Sequence, residues 1–306
     1  MRHSGLESLP FIGETAVASV LEWEPLIDVL EQAMVDFSAG NVTQPLRQMV
    51  PVPEHDAIIA TMLAIGEAMA VKVVTLYHEN ADTELPTHQA VILVFDKHNG
   101  TPLAIVDGRL ITEMRTAAST AAVVRKLAIP HPDVVTILGS GVQARAHAQA
   151  LSVVRSWREL RISARNKDHG QALADELGAV FVADADTAVH DADIVVCATS
   201  ATQPILRGEW LKSGVLLISV GWNTPDGREL DDVAMSNIVI VESIEAAMNQ
   251  SGDVRGSGCD IYAEIGEIYS GVKKVPAGQT LVFDSVGIAI MDVAAAKLVY
   301  DLVQAG

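Results

Sequence analysis

Three basic residues stand where charge is costly. Arg47 sits in the β-like run "LRQMVPV", Lys72 interrupts "MAVKVVTL", and Arg115 opens the small-residue stretch "RTAASTAA". An ionised side chain in such company must be paired, face a polar cleft, or lay its stem over apolar surface with its head in water. If these three face a cleft, the chemistry is specific. A guanidinium grips an α-carboxylate through two parallel hydrogen bonds, and an ammonium nearby supplies a proton or polarises the surroundings of a nitrogen-bearing carbon. The orientation of His88, in "THQAVILVF", is not given by alternation. The nine histidines show no HExxH or other close ligand grouping, so no metal is expected.

A second chemistry is written in "VVTILGSGVQARAHAQAL", residues 134–151. A β-forming run breaks at Gly139-Ser140-Gly141, and an alanine-rich helical pattern follows through Val142, Gln143 and Ala144. The first glycine permits the turn, the second lets backbone approach a pyrophosphate, and Ala144 allows helix and strand to pack closely. The alternative is an ordinary strand-to-helix turn with small residues. The next strand, "LRISAR", ends in Arg165-Asn166-Lys167, where an NAD site usually places an acid on the ribose 2′-hydroxyl. Arg165 and Lys167 suit a 2′-phosphate instead, which favours NADP(H), with NAD(H) still possible; a solvated basic turn is the plainer alternative.

The elements that must carry these residues fall into two rhythms. Before residue 110 a short strand and two helices, "ETAVASVL" and "EPLIDVLEQAMVDFSAG", precede β-like runs "LRQMVPV", "AIIATML", "AMAVKVVTLYH", "HQAVILVF" and "PLAIVDG". The last two flank Asn99-Gly100, a strong hairpin signal, so these strands are expected to be mainly antiparallel. A helix over about 111–128 follows. From 134, strands at "VVTILG", "ELRISAR", "AVFVA", "DIVVCATS", "GVLLISVG" and "NIVIVES" alternate with helical segments, which argues for a parallel doubly wound sheet. The end, "QTLVFDSVG" and the helix "IAIMDVAAAKLVYDLVQ", is expected to return to the first domain.

Composition bounds the partners. With 306 residues and a formal net charge of −18, the chain is large enough for two domains and too acidic to favour nucleic acid. No apolar run is long enough to span a membrane and no secretory pattern opens the chain. The two cysteines, Cys197 and Cys259, lie outside any CxxC pair and are expected to be buried reduced thiols of a cytoplasmic protein. A small anionic ligand remains open, provided basic residues are placed locally against the general field.

Taken together, "PLRQMVPV", "VKVVTLY", "THQAVILVFD", "DGRLITEMRTAA", "TILGSGVQARAH", "SARNK", "ILRGEWLKSGVLLISVG", "PDGRELDD" and "SGDVRGSG" resemble the ornithine cyclodeaminase/μ-crystallin family. They stand in that family's order and cover nearly the whole chain. The resemblance implies an α/β homodimer: a Rossmann-type doubly wound sheet over 116–285, and a smaller substrate and dimerisation domain formed by 1–115 with 286–306. It also implies an active site in a cleft facing the Rossmann domain. Arg47, Lys72 and Arg115 match the family's basic substrate residues. His88, Thr116, Thr199, Ser200, Val220 and Gly221 then join Gly139, Gly141, Val142, Gln143, Arg165, Asn166 and Lys167 as cofactor contacts.

The resemblance also sets the candidate reactions. Members reduce cyclic imines such as Δ1-pyrroline-2-carboxylate and Δ1-piperideine-2-carboxylate, cyclise ornithine with loss of ammonia, or dehydrogenate alanine; a non-catalytic NADP(H)-binding role also belongs to the crystallin branch. Two departures bear on the choice. The cyclodeaminases carry a glutamate on the strand after the first arginine, whereas "AIIATMLA" has no acid. They also place an aspartate two residues after the "VG" that ends a Rossmann strand, where this chain has Asn223. Asparagine hydrogen-bonds but does not accept a proton as a carboxylate does. Reducing a preformed cyclic imine asks for fewer proton transfers and is the better match.

Overall fold

The computed structural model describes residues 9–221 and 226–306. The chain divides into two compact units, Met1–Arg115 with Ile288–Gly306, and Thr116–Gly287.

The first unit is built on a six-stranded sheet. Its strands are β1 (Phe11–Ile12), β2 (Gln48–Val52), β3 (Ala57–Ile65), β4 (Met69–Tyr77), β5 (His88–Phe95) and β6 (Pro102–Asp107), in the order β1-β6-β5-β4-β3-β2. All pairs are antiparallel except β1 with β6. The β5–β6 hairpin closes through Asp96, whose amide donates to the Thr101 carbonyl at 2.8 Å, and Gly100 supplies the positive φ of 75°.

Strict alternation gives this sheet two unlike faces. Ala60, Met62, Ala64, Ala70, Ile92, Val94, Ala104 and Val106 point inward and are buried. The C-terminal helix Ala289–Ala305 covers this face, lying against β3 to β6, and the helix Trp23–Ser38 packs on that helix. The latter buries Leu26, Ile27, Leu30, Ala33 and Met34, a single stripe at helical spacing. Leu26, Ile27, Leu30 and Met34 each contribute about 1.5–3 kcal/mol when fully removed from water, and Ala33 less. Opposite them, Val50, Ile59, Leu63, Ile65 and Val91 lie exposed on the outer face.

The second unit holds an eight-stranded sheet, with every pair parallel. Its strands are β7 (Val134–Leu138), β8 (Glu159–Ser163), β9 (Val180–Phe181), β10 (Ile194–Cys197), β11 (Leu216–Ser219), β12 (Ile238–Val241), β13 (Ile261–Glu264) and β14 (Leu281–Asp284). The order β13-β12-β14-β11-β10-β7-β8-β9 contains the doubly wound 3-2-1-4-5 sequence, with its reversal between β7 and β10. β7, β10, β11 and β14 are buried along their whole length, as apolar runs in a doubly covered parallel sheet must be.

Two details depart from the sequence reading. "QTLVFDSVG" does not return to the first unit; it forms β14, inserted between β11 and β12, and only the helix after it belongs there. "GDVRGS", to which the sequence reading assigns no element of its own, is a helix (Gly252–Ser257) capped by the Ser251 hydroxyl, which accepts from the Val254 amide at 3.1 Å. Both cysteines are free, but only Cys197 is buried; Cys259 is half-buried. Among the described residues no helix is long and apolar enough to cross a membrane, and no cluster of potential metal ligands forms.

Candidate active site

Lys72 lies on the inner face of the small sheet. Its neighbours across the ladder are Met62 on β3 and Ile92 on β5, so a lysine stands in an otherwise apolar row, 1% exposed. Burial on that scale is tolerated only with a partner. The partner comes from the C-terminal helix: Lys72 Nζ donates to Asp292 Oδ1 at 2.7 Å and to Thr112 Oγ1 at 3.3 Å. Arg115, one turn beyond Thr112 on the helix Gly108–Leu127, brings Nε to the same Asp292 oxygen at 3.1 Å. Asp292 Oδ2 is buried and accepts no hydrogen bond among the described residues.

Two cations therefore share one carboxylate, and the field of Arg47 adds to theirs. Burial pushes Lys72 down to about 7; Asp292 pulls it back up, while Arg115 and Arg47 push it further down. For Asp292, burial alone would raise the pKa, but Arg115 and Lys72 outweigh it and hold it below the usual carboxylate range. His88 opens β5 on the same face, opposite Leu76. Burial, then Lys72 and Arg115, push it down to about 4, so it is neutral at pH 7. The fields of Lys72, Arg115 and Arg47 converge on Asp292, an arrangement that suits an anionic ligand, and a lysine with a pKa of about 7 suits proton transfer near neutral pH.

In the second unit the carboxyl ends of β7, β10 and β11 form a backbone cradle. Gly139 has φ of 131° and sits against β10, where a Cβ would collide with the Ala198 carbonyl oxygen. Gly141 is different: a Cβ there meets nothing within 4 Å. It is the N-cap of the helix Val142–Val154, and no side chain caps that helix. Open space in front of uncapped amides at a helix N-terminus fits a pyrophosphate. Gln143 Oε1 is buried without a hydrogen-bond partner among the described residues. Thr199 and Gly221, each two residues past the end of its strand, meet at the same edge, while Ser200 is exposed. At the end of β8, Arg165 and Lys167 are exposed, and Asn166 caps the next helix by accepting from the His169 amide at 3.1 Å.

Comparison with known proteins places this arrangement. The profile of the ornithine cyclodeaminase/mu-crystallin family matches residues 12–306. The chain belongs to that family. The ketimine reductase mu-crystallin of Mus musculus is 44% identical over 285 residues, covering 90% of this chain and 91% of the mouse protein. A Delta(1)-pyrroline-2-carboxylate reductase of Bacillus cereus is 32% identical over 289 residues, covering 88% of this chain and 89% of the relative. Among solved structures, the Thermococcus litoralis Delta(1)-pyrroline-2-carboxylate reductase in complex with NADH and L-proline matches with a TM-score of 0.91 and 32% identity, over 97% of this chain and 98% of the other.

Within this family member, Arg47, Lys72, Arg115 and His88 fall in the first unit, and the glycine cradle in the second. Thr116 is half-buried on the helix, one residue beyond Arg115; Val220 continues from β11 into Gly221. Asn223 lies outside the described residues. Sequence reasoning missed Asp292. The signal was present: it is the lone acid in "IAIMDVAAA", and the rule that a charge in an apolar run needs a partner was applied only to the bases.

Proposed function

We propose that the protein is a NAD(P)H-dependent reductase of a small cyclic imino acid, Δ1-pyrroline-2-carboxylate or Δ1-piperideine-2-carboxylate, yielding a proline- or pipecolate-type product. The observation that carries this is the buried Lys72–Asp292–Arg115 cluster, a proton donor set beside arginine in a positive field. Arg115 and Arg47 bind the substrate carboxylate. Asp292 fixes Lys72 and the Arg115 fork, leaving the third ammonium proton of Lys72 for the ring nitrogen. A reduced nicotinamide in the glycine cradle supplies the hydride when bound. As the imine carbon gains hydrogen, the C=N π pair moves to nitrogen and takes the Lys72 proton; Lys72 is reprotonated from water. His88, uncharged, contacts the nicotinamide end without adding to the positive field.

NADP(H) is the favoured cofactor, supported by Arg165 and Lys167 at the end of β8, where Ser163 and Ala164 provide no acid for a ribose 2′-hydroxyl. The working molecule is a homodimer, supported by the apolar outer face of the six-stranded sheet, which a monomer would leave in water. The free thiols of Cys197 and Cys259 fit a reducing, cytoplasmic location. The test is a side-by-side assay of both imines, ornithine and alanine with each nicotinamide. Imine-dependent NADPH oxidation is expected. Ammonia from ornithine without net nicotinamide change would make it a cyclodeaminase, and NAD(P) reduction by alanine a dehydrogenase.

A further inference from the structure

Two sequence motifs take no part in the reaction so far, "PDGRELDD" and "SGDVRGSG", and the fold brings a carboxylate from each to the end of β11. Glu229, from the first, is fully buried. Its Oε1 accepts from the Thr199 amide at 2.7 Å and the Thr199 hydroxyl at 2.6 Å. Its Oε2 accepts from the Gly221 amide at 2.8 Å and the Ser219 hydroxyl at 3.1 Å. One side chain thus holds the loop after β10 to the loop after β11. The fit is close, since a Cβ on Gly221 would collide with both the Thr199 carbonyl and Glu229.

Asp253, from the second motif, stands behind Ser219. Its Oδ1 accepts from the Glu229 and Leu230 amides at 3.0 and 2.9 Å, while its Oδ2 meets the Ser219 hydroxyl at 2.8 Å. A serine hydroxyl has one proton and here faces two carboxylates. Both contacts are attractive only if one carboxylate is protonated. Glu229, Ser219 and Asp253 therefore share that proton between them, and burial raises both carboxyls.

We infer that Glu229 is a positioning residue of the cofactor site: it fixes Thr199 and Gly221 in the places from which they meet the nicotinamide half of the cofactor, with Ser219 and Asp253 holding its charge in check. The inference rests on reading this sheet edge as the dinucleotide site. The ionised carboxylate serves all of these donors, whereas the protonated form gives up acceptor capacity. Burial pushes Glu229 up to about 7, against the pull of Thr199 and Gly221. The charged or titratable groups around it are Asp253 and Arg228 on one side, Cys197 at the end of β10, and Asp284 and Glu242 beyond.

The experiment is NADH binding by the intact protein from pH 6 to 8. NADH is chosen because it lacks the titrating 2′-phosphate, and binding rather than turnover because Lys72 titrates in the same range. Wild type is expected to bind more tightly as pH rises through about 7. Glu229→Gln, melting near the wild-type temperature, is expected to bind NADH about 10-fold more weakly, with a flat pH profile and an unchanged KM for the imine. Ser219→Ala, a milder change, removes one donor to the ionised form and is expected to move the midpoint upward. A Glu229→Gln protein with wild-type affinity and pH profile, or a Ser219→Ala protein with an unmoved midpoint, overturns the inference. Failure of wild type to bind NADH or NADPH overturns the cofactor reading itself and is told apart from either.

Discussion

As the proposed donor, Lys72 must give up a proton to a substrate nitrogen near neutral pH, and its surroundings suit that. Asp292 stabilises the ammonium at 2.7 Å, but Arg115 draws on the same oxygen, so burial prevails and the pKa settles at about 7. Above that pH the donor form is lost, and kcat is expected to fall as pH rises through about 7. Lys72→Met should lower kcat by about 10²–10⁴-fold and abolish that limb while NADPH affinity holds; an unchanged pH–rate profile would remove Lys72 as the donor. Asp292→Asn leaves two buried cations without their carboxylate and should cost about 3–5 kcal/mol of stability, measured by denaturant unfolding. In protein that still folds, the Lys72 limb should move to lower pH, because the group that favours its ammonium is gone. At this scale the sequence was half legible. Arg47, Lys72 and Arg115 stood out because a base in an apolar run is conspicuous; Asp292 is an equally conspicuous acid whose partner lies 220 residues away, and Glu229 shows its meaning only once a segment 30 residues away is brought to it.

The elements carry a sharper test of the cradle. Gly139 and Gly141 are two residues apart and answer to different constraints. An alanine at 139 is strained by its φ of 131° and collides with Ala198, so Gly139→Ala should lower the melting temperature of the cofactor-free protein. An alanine at 141 meets no protein atom within 4 Å, so Gly141→Ala should melt like wild type yet bind NADPH far more weakly. Equal NADPH affinity in Gly141→Ala and wild type would mean the pyrophosphate lies elsewhere. The strands were readable because β3, β7, β10 and β11 are short apolar runs rich in β-branched residues and too short for helices. What escaped was β13 and the short helices around it: "IYAE" is too short for a period, and two glycines mask the helix at 252–257. The insertion of β14 between β11 and β12 is a long-range pairing that no local pattern encodes.

At the scale of the whole molecule, the residues proposed for the acceptor and its proton lie in the first unit, and those proposed for the hydride donor lie in the second. The outer face of the first unit's sheet, with Leu63, Ile59 and Val91 between 40% and 45% exposed, is where the second copy should sit. Leu63→Asp is expected to convert the dimer to monomer in sedimentation velocity, and a wild-type protein that sediments as a monomer would contradict that assignment. The net charge of −18 makes the local excess of Arg47, Lys72 and Arg115 the more telling, since it runs against the field of the rest of the chain. The most direct test of the account is the loss of NADPH absorbance when purified protein meets Δ1-pyrroline-2-carboxylate or Δ1-piperideine-2-carboxylate. The account predicts oxidation of one NADPH per imine consumed, with proline or pipecolate as product and no turnover without imine. Protein that binds NADPH but oxidises none with either imine would contradict it.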